Sequence, residues 1–589
     1  MGIDELGIGK RGKKRLLVGR IPLIMLALFC GFMASLVDTI RIHQCLFFSW
    51  RCVWFTVLSA CLFFAFVLLG ERLVAWFMAE PQNVGTVGLK LRARFSLAWN
   101  WKQCLLVTSV IQLCWMPYLW LSYPGVLWYD TGQQLMQWFH LPNTFTDGSH
   151  WSDHHPVFDT FFIGAFAELG KMFGSVDRGL FLCSIVLSVL SAASFATIIL
   201  YCRRLGTGWR LDIAQMLFFA LFPVLPIFSM SLVKDSIFMP FFIWFAIFCI
   251  EIVHSHGLCI RRPATLVLFF ILFLLVCLTK KTGLYIAVIC CFAVLFVVIR
   301  KYRLRIAAVL LMGMVIFELF IPKVVFPANN IQEGGKQEML AIPFQQSALE
   351  IKRHGKDMDK HDVDVIYTLL GKDVASRYQW WASDNVKGYT WDRSKDPMLG
   401  EYARVWVRGL IKYPQTYVEA YLALQESWLG IPSYGEGENN NLAELTLPVF
   451  LTGSDHMLVA NADQMGFKMH GRQAYVQYVE KQINKFEQLP VFNLLFSRAI
   501  WTTWMFLFVV YEWCRNHRMR DIAWLMPYIA TFLFLWISPA TVTVEGVRYT
   551  MPMIVLAPLM WGLLAMPRTH SEENDSTFAM PQKPADRHV

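Results

Sequence analysis

Apolar runs of about 17 residues or more recur along the chain, separated by short polar connections, and runs of this length can cross a bilayer as helices. Read this way, the sequence contains twelve spans: roughly 21–37, 52–70, 103–123, 178–201, 211–227, 236–253, 264–279, 283–299, 306–326, 493–511, 521–538 and 549–566. A long polar interval, about 327–492, separates the ninth from the tenth. Stretches of helical period within it, such as 399–430, predict a mainly helical domain large enough for a modest core, and "SYGEGENNN" (433–441) reads as a polar turn. The predicted fold class is an all-α polytopic membrane protein with about 12 transmembrane helices. A basic N-terminal segment (1–20) precedes spans one to nine (21–326). The domain at 327–492, spans ten to twelve (493–566) and a tail expected to be disordered (567–589) follow.

Composition supports the same class. With 56% hydrophobic and only 16% charged residues and a mean hydropathy of +0.44, the chain holds more apolar surface than a soluble globule of this length can bury. The formal charge of +10 does not point to nucleic acid, because Lys and Arg are grouped in short segments between apolar runs, as topology determinants are. The N-terminus carries the basic run "GKRGKKR", and no small-residue cleavage site follows the first apolar run, so it reads as a retained signal anchor with its N-terminus in the cytoplasm. On that assignment the cytoplasmic segments 1–20, 71–102, 202–210, 251–263, 300–305 and 512–520 hold 23 Lys and Arg. The short external ones, 38–51, 124–157, 228–235, 280–282 and 539–548, hold 6. The asymmetry favours an N-in, C-in, multi-pass plasma-membrane protein whose 327–492 domain lies outside. It also argues that "FDTFFIGAFAELGKMFG" (158–174) is an interfacial or re-entrant helix, since a crossing there would put the later basic loops outside. None of the 14 cysteines falls within 327–492, so disulfides are not implied.

The chemistry concentrates in the first large external loop, 124–177. Its stretch "LWYDTGQQLMQWFHLPNTFTDGSHWSDHHPVFDTFF" (127–162) carries four aspartates, four histidines and three tryptophans. Further charges sit in short external connections: Lys234-Asp235, Lys280-Lys281, and Glu545 with Arg548. Charges at the hydrocarbon boundary are costly unless paired or functional, and all of these face one aqueous side. No phosphate loop, dinucleotide fingerprint, HExxH or GxSxG motif is present. The inventory suits transfer from a lipid phosphate: a carboxylate to deprotonate a hydroxyl, cations to hold a departing phosphate, and indoles to stack on sugars.

Each residue also has a plainer reading. Asp130 suits a helix cap. His154 and His155 suit a hydrogen-bonded spacer, and Lys234-Asp235 a structural ion pair. Lys280 and Lys281 suit snorkelling, and Trp128, Trp138 and Trp151 an aromatic belt.

An apolar span followed by "YPGVLWYDTGQQLMQ", and then "DHHPVFDTFFIGAF", resembles the first external loop of GT-C glycosyltransferases, membrane enzymes that use polyprenyl-phosphate sugars. The closing "ISPATVTVEGVRYTMPMIVLAPL" is similar to that family's RY-x-x-P start of a late span and aligns Arg548, Tyr549 and Pro552 with it. The resemblance implies that Asp130 is the catalytic carboxylate. His155-Pro156 matches the family's HPP-like element, with Val157 where a second proline is frequent.

Asp153, His154, His155, Lys234, Asp235, Lys280, Lys281, Arg548 and Tyr549 are then candidates for substrate and phosphate binding. The implied partners are a polyprenyl-phosphate sugar donor, a cell-envelope glycan or lipid acceptor and membrane lipids, with no nucleic acid. The implied reaction is hexosyl or pentosyl transfer on the extracytoplasmic face. No doubled-acid DxD follows the span, which leaves the metal unknown: no cofactor is certain, and Mg or Mn stays open. A polysaccharide polymerase or ligase of similar architecture, and a lipid or glycan flippase, remain the alternatives. The flippase calls for ionisable groups near mid-span.

Overall fold

The computed structural model describes residues 20–79, 97–430, 456–467, 494–516, 519–538 and 547–567, with isolated positions between 475 and 489. The basic segment 1–19, the expected turn at 433–441, Glu545 and the tail from 568 lie outside the described residues. Helices dominate. In chain order they begin with α1 (Ile21–His43), α2 (Trp50–Met78), α3 (Trp101–Leu121), α4 (Tyr129–Trp138), α5 (Val157–Met172), α6 (Val176–Arg204) and α7 (Trp209–Leu221). There follow α8 (Lys234–His254), α9 (Pro263–Thr279), α10 (Lys281–Val297) and α11 (Arg300–Val315). The last runs on through a π-helical stretch, Ile316–Val325, that contains Pro322.

Six helical segments among the described residues are long and apolar enough to cross a membrane: α1, α2, α3, α6, α8 and Arg300–Ala328. Four further apolar helices are shorter: α9, α10, Asp521–Ile537 and Arg548–Leu564. The apolar run 211–227 is divided: α7 stops at Leu221, and Pro223 turns the chain into a short helix, Val224–Ser229. Indoles mark the two boundaries of the outward surface. Trp50 and Trp54 at the start of α2 and Trp120 at the end of α3 are exposed at one end, and Trp76 and Trp101 at the other.

The two ends of the bundle differ in their polar equipment. At one, Arg20 and Arg515 pair with Glu71, Arg204 pairs with Glu251 at 2.7 Å, and Arg305 donates to the Ile260 carbonyl. At the other lie the C-terminal ends of α1, α3 and α9 and the N-terminal ends of α8 and α10, with the loop that carries Asp130.

A helical unit docks at this second end. Its helices α12 (Ala341–His354), α13 (Lys360–Leu370), α14 (Leu399–Lys412) and α15 (Pro414–Leu424) close around Phe344, Ile351, Ile366, Leu369, Tyr402 and Val405. It is fastened to α1 by Leu36, Val37 and Ile40 packing on Leu422, Ala423 and Leu429, and by Glu419 Oε1 accepting from the Leu46 amide at 3.0 Å. The Tyr421 hydroxyl and Gln425 amide both donate to the Trp536 carbonyl, at 3.1 Å each.

The chain completes with α16 (His456–Met465), α17 (Met505–Asn516), α18 (Met526–Ile537) and α19 (Val547–Leu564). The only sheet among the described residues is a two-stranded parallel pair, β1 (Trp151–Asp153) with β2 (Ile331–Glu333), in the register Trp151↔Ile331 and Asp153↔Glu333. It ties the first loop to the chain leaving the π-helical stretch. The 158–174 segment is the 16-residue α5, which folds back on α6. They meet so closely at Gly170 and Gly179 that a Cβ on Gly179 would lie 1.9 Å from the Phe166 carbonyl oxygen.

Candidate functional site

Backbone contacts first fix the loop after α3. Val126 bridges Ser231, the Leu232 amide donates to the Val126 carbonyl at 2.9 Å, and the Thr131 hydroxyl donates to the Leu232 carbonyl. These links bring the first turn of α4 against the first turn of α8. Asp130 is not the cap of α4: Trp128 is the N-cap residue, and its amide donates to Thr131 Oγ1. The Asp130 carboxylate turns inward instead. Its Oδ2 accepts from Lys234 Nζ at 2.5 Å and from Arg548 Nη1 at 2.5 Å, and lies 3.7 Å from His155 Nδ1.

Lys234 and Asp235 do not pair with each other. Lys234 serves Asp130 and His155, the latter at 2.9 Å, while Asp235 accepts from Lys280 at 2.5 Å and faces Arg548 Nε at 3.9 Å. Tyr549 closes this side: its hydroxyl accepts from Arg548 at 3.4 Å, and Lys280 lies over its ring at 5.6 Å. Arg548 also lies 5.9 Å from the centre of the Trp128 ring. The cluster therefore holds three cations against two carboxylates, all largely shielded from solvent. Buried ion pairs of this kind add little stability on balance, because desolvation offsets the attraction, so their arrangement calls for another explanation.

The protonation states follow from the surroundings. Burial works against a charged Asp130, yet Arg548 and Lys234 outweigh it and hold the carboxyl well below the usual carboxylate range. Burial also pushes His155 well below its ordinary value and, helped by Lys234 and Lys281, pushes His154 down to about 3, so both imidazoles are neutral. Since Lys234 donates to His155 Nδ1, the imidazole proton belongs on Nε2, which is buried and has no partner among the described residues. His154 stacks on Phe145 with ring centres 4.0 Å apart.

Asp153 and Lys281 form a second pair, 3.0 Å apart, beside the cluster, and Lys281 also donates to the Asp153 carbonyl. Gly334 lies so close over this pair that a Cβ there would come within 2.6 Å of Lys281 Nζ. The pair stands at the mouth of a cleft of about 650 Å³ with a mainly apolar lining. Val157, Phe158, Phe161, Leu284, Phe317 and Val325 form part of its walls, and Lys336 and Glu333 stand with Lys281 at its polar rim. Trp138 and Trp151 pack instead with Phe161 in an aromatic group on the loop surface, and only Trp128 joins the charged cluster.

All ten residues singled out in the sequence thus lie in one contiguous patch, in two parts: Asp130, His155, Lys234, Asp235, Lys280, Arg548 and Tyr549, and beside them Asp153, His154 and Lys281. Gln133 and Gln134 stand in no motif, whereas Trp128 reads in the sequence as a belt or sugar-stacking indole, and the fully buried Asp159 reads, with Asp153, as a second choice behind Asp130 for the catalytic carboxylate.

The donor set does not suit a divalent cation. Asp130 Oδ2 is shared by an ammonium and a guanidinium, and among the described residues no group of three or more His, Cys, Asp or Glu is placed to hold one.

DUF6020, a family of unknown function, matches residues 139–578, most of the chain, and the chain belongs to it. The match begins after Asp130 and includes His155, Lys234, Lys280 and Arg548. No curated protein and no solved structure matches the chain.

Proposed function

We propose that this member of the DUF6020 family is a GT-C-like glycosyltransferase that moves a sugar from a polyprenyl-phosphate carrier to a cell-envelope acceptor on the extracytoplasmic side of the plasma membrane. The observation that carries the reading is the shared grip of Lys234 and Arg548 on Asp130, next to an apolar cleft with a lysine at its mouth. An amphiphile with a phosphate head has the matching form: its chain occupies the cleft, Lys281 meets the head, and the charged cluster takes the phosphate.

The same geometry suggests how binding and chemistry are coupled. While both cations hold it, Asp130 is a weak base. A phosphate drawn between Lys234 and Arg548 competes for their protons and releases Asp130, whose basicity then rises. The freed carboxylate takes the proton of the acceptor hydroxyl as its oxygen bonds to the sugar carbon. The bond from that carbon to the phosphate oxygen breaks, and the electron pair leaves with the phosphate, stabilised by the cations.

The direct test is to incubate purified protein with polyprenyl-phosphate sugars and follow the sugar from lipid to acceptor. Donor lipid that stays intact across hexose and pentose forms, with phosphate binding retained, would defeat the transferase assignment.

A further inference from the structure

Beside the charged cluster lies a carboxyl that has no hydrogen-bond partner among the described residues. Asp159 lies in the first turn of α5, four residues after His155, and is fully buried, with neither carboxylate oxygen hydrogen-bonded among the described residues. Its neighbour Thr160 accepts from Gln134 of α4 at 3.2 Å. The charges that act on it are Lys234 and Asp235 of α8 and Asp153 of β1. Asp130 on α4 and Lys280 at the end of α9 belong to the same cluster, and α6 adds the buried thiol of Cys183. Lys234 spends its contacts on Asp130 and His155. An ionised carboxylate without a donor is too costly to bury, so Asp159 carries a proton, and burial correspondingly pushes it well above the usual carboxylate range.

Other polar groups of the loop that carries Asp130 and His155 are also unsatisfied among the described residues. His155 Nε2, Trp128 Nε1 and Gln133 Nε2 are all buried nitrogens without a partner among the described residues. They accompany three cations set against two carboxylates, an excess of one positive charge. Unused N–H donors, a protonated acid and one surplus positive charge together describe a site for a singly charged anion with several oxygens.

Resting on the phosphate-binding reading above, we propose that Asp159 is the neutral acid of this site, its carboxyl O–H donating to a phosphoryl oxygen held by Lys234 and Arg548, and that the anion taken is a phosphodiester rather than a diphosphate. A phosphodiester carries one negative charge and matches the surplus. A diphosphate brings more charge than the site neutralises, and ionisation of Asp159 would cancel the surplus and expel either anion.

Farnesyl methyl phosphate is a suitable probe, since a diester keeps one charge from pH 5 to 9 and any pH dependence then belongs to the protein. Binding to the full chain in detergent is measured by calorimetry across that range. The wild type is expected to bind well at low pH and to lose about tenfold per unit of pH once Asp159 ionises. Asp159→Asn, which keeps an N–H donor and cannot ionise, is expected to give a flat profile and to exceed the wild type at pH 9. Asp159→Leu should weaken binding about tenfold at low pH, with thermal melting as the control for folding. Farnesyl diphosphate should bind more weakly than the diester.

Superimposable pH profiles for wild type and Asp159→Asn would overturn the proposal, as would undiminished binding by a folded Asp159→Leu or tighter binding of the diphosphate. The underlying reading fails separately. If Lys234→Ala and Arg548→Ala bind the diester like the wild type, there is no phosphate site. If binding shows the Asp159 signature but no donor is turned over, the site stands and the transferase reading does not.

Discussion

Arg548 Nη1 and Asp130 Oδ2 lie 2.5 Å apart although 418 residues separate them in the chain. The contact joins the first turn of the last helix to the first turn of α4, and Lys234 completes it from α8 at the same oxygen. Three distant segments therefore converge on one carboxylate atom, and the consequences can be measured.

Replacing the carboxylate by an amide separates its two roles. Asp130→Asn removes the base, so sugar transfer should fall about a hundredfold or more. It also removes the internal anion that competes for Lys234 and Arg548, so binding of a prenyl phosphodiester should tighten. Weaker binding together with lost transfer would mean that Asp130 holds the ligand rather than releasing its site.

Among Lys234, Lys280, Lys281 and Arg548, at least one alanine variant should lower turnover about a hundredfold with normal expression, because a cation preorganised at a developing phosphate contributes roughly 2–4 kcal/mol in the transition state. Lys281, at the mouth of the cleft and half exposed, should affect KM more than kcat. Near-neutral results at all four positions would remove support for a phosphate leaving group.

Leu284 lines the apolar wall of the cleft. Leu284→Trp should narrow it and raise KM for a long polyprenyl donor about tenfold while leaving a farnesyl donor less affected. An equal effect on both donors would point to local distortion rather than to a seat for the chain.

Sidedness can be read by labelling single cysteines introduced where the chain is exposed, in a background whose accessible native cysteines are serine. Ser149→Cys and Gly400→Cys should react with an impermeant reagent added outside intact cells, and Lys301→Cys should not. The reverse pattern would place the charged cluster on the cytoplasmic face.

In the docked helical unit, Glu350 is buried, accepts from the Tyr417 hydroxyl at 2.7 Å, and is pushed up to about 7 by burial. Its folded value exceeds its unfolded one, so the neutral form stabilises the fold at low pH, and that contribution fades as pH rises through about 7. Glu350→Gln should therefore raise the melting temperature at pH 8 by about 2–4 °C and have little effect at pH 5. A shift of the same size at both values would show that the carboxyl's charge is not the cause.

Much of this protein can be read along the chain because the properties concerned are local. A run of apolar side chains must become a helix and must find hydrocarbon, so the helical segments and their membrane character follow from the sequence alone. So does the collection of ionisable residues near helix ends, where the chain leaves the apolar layer. The partners of those residues are another matter. In sequence, Lys234 and Asp235 can be read as an ion pair, and Asp130 as a helix cap as well as the catalytic carboxylate. Folding gives Lys234 to Asp130 and Asp235 to Lys280, and places Trp128 at the cap. Neighbours on a helix point in different directions, so adjacent charges seldom face each other, and the nearest opposite charge is supplied by whichever helix packs alongside. Asp159 shows the same limit. On the sequence it is a second choice behind Asp130 among the four aspartates of a polar loop, and only the packing of the helices encloses it with no hydrogen-bonding partner among the described residues, because burial is a property of the assembled helices rather than of the chain.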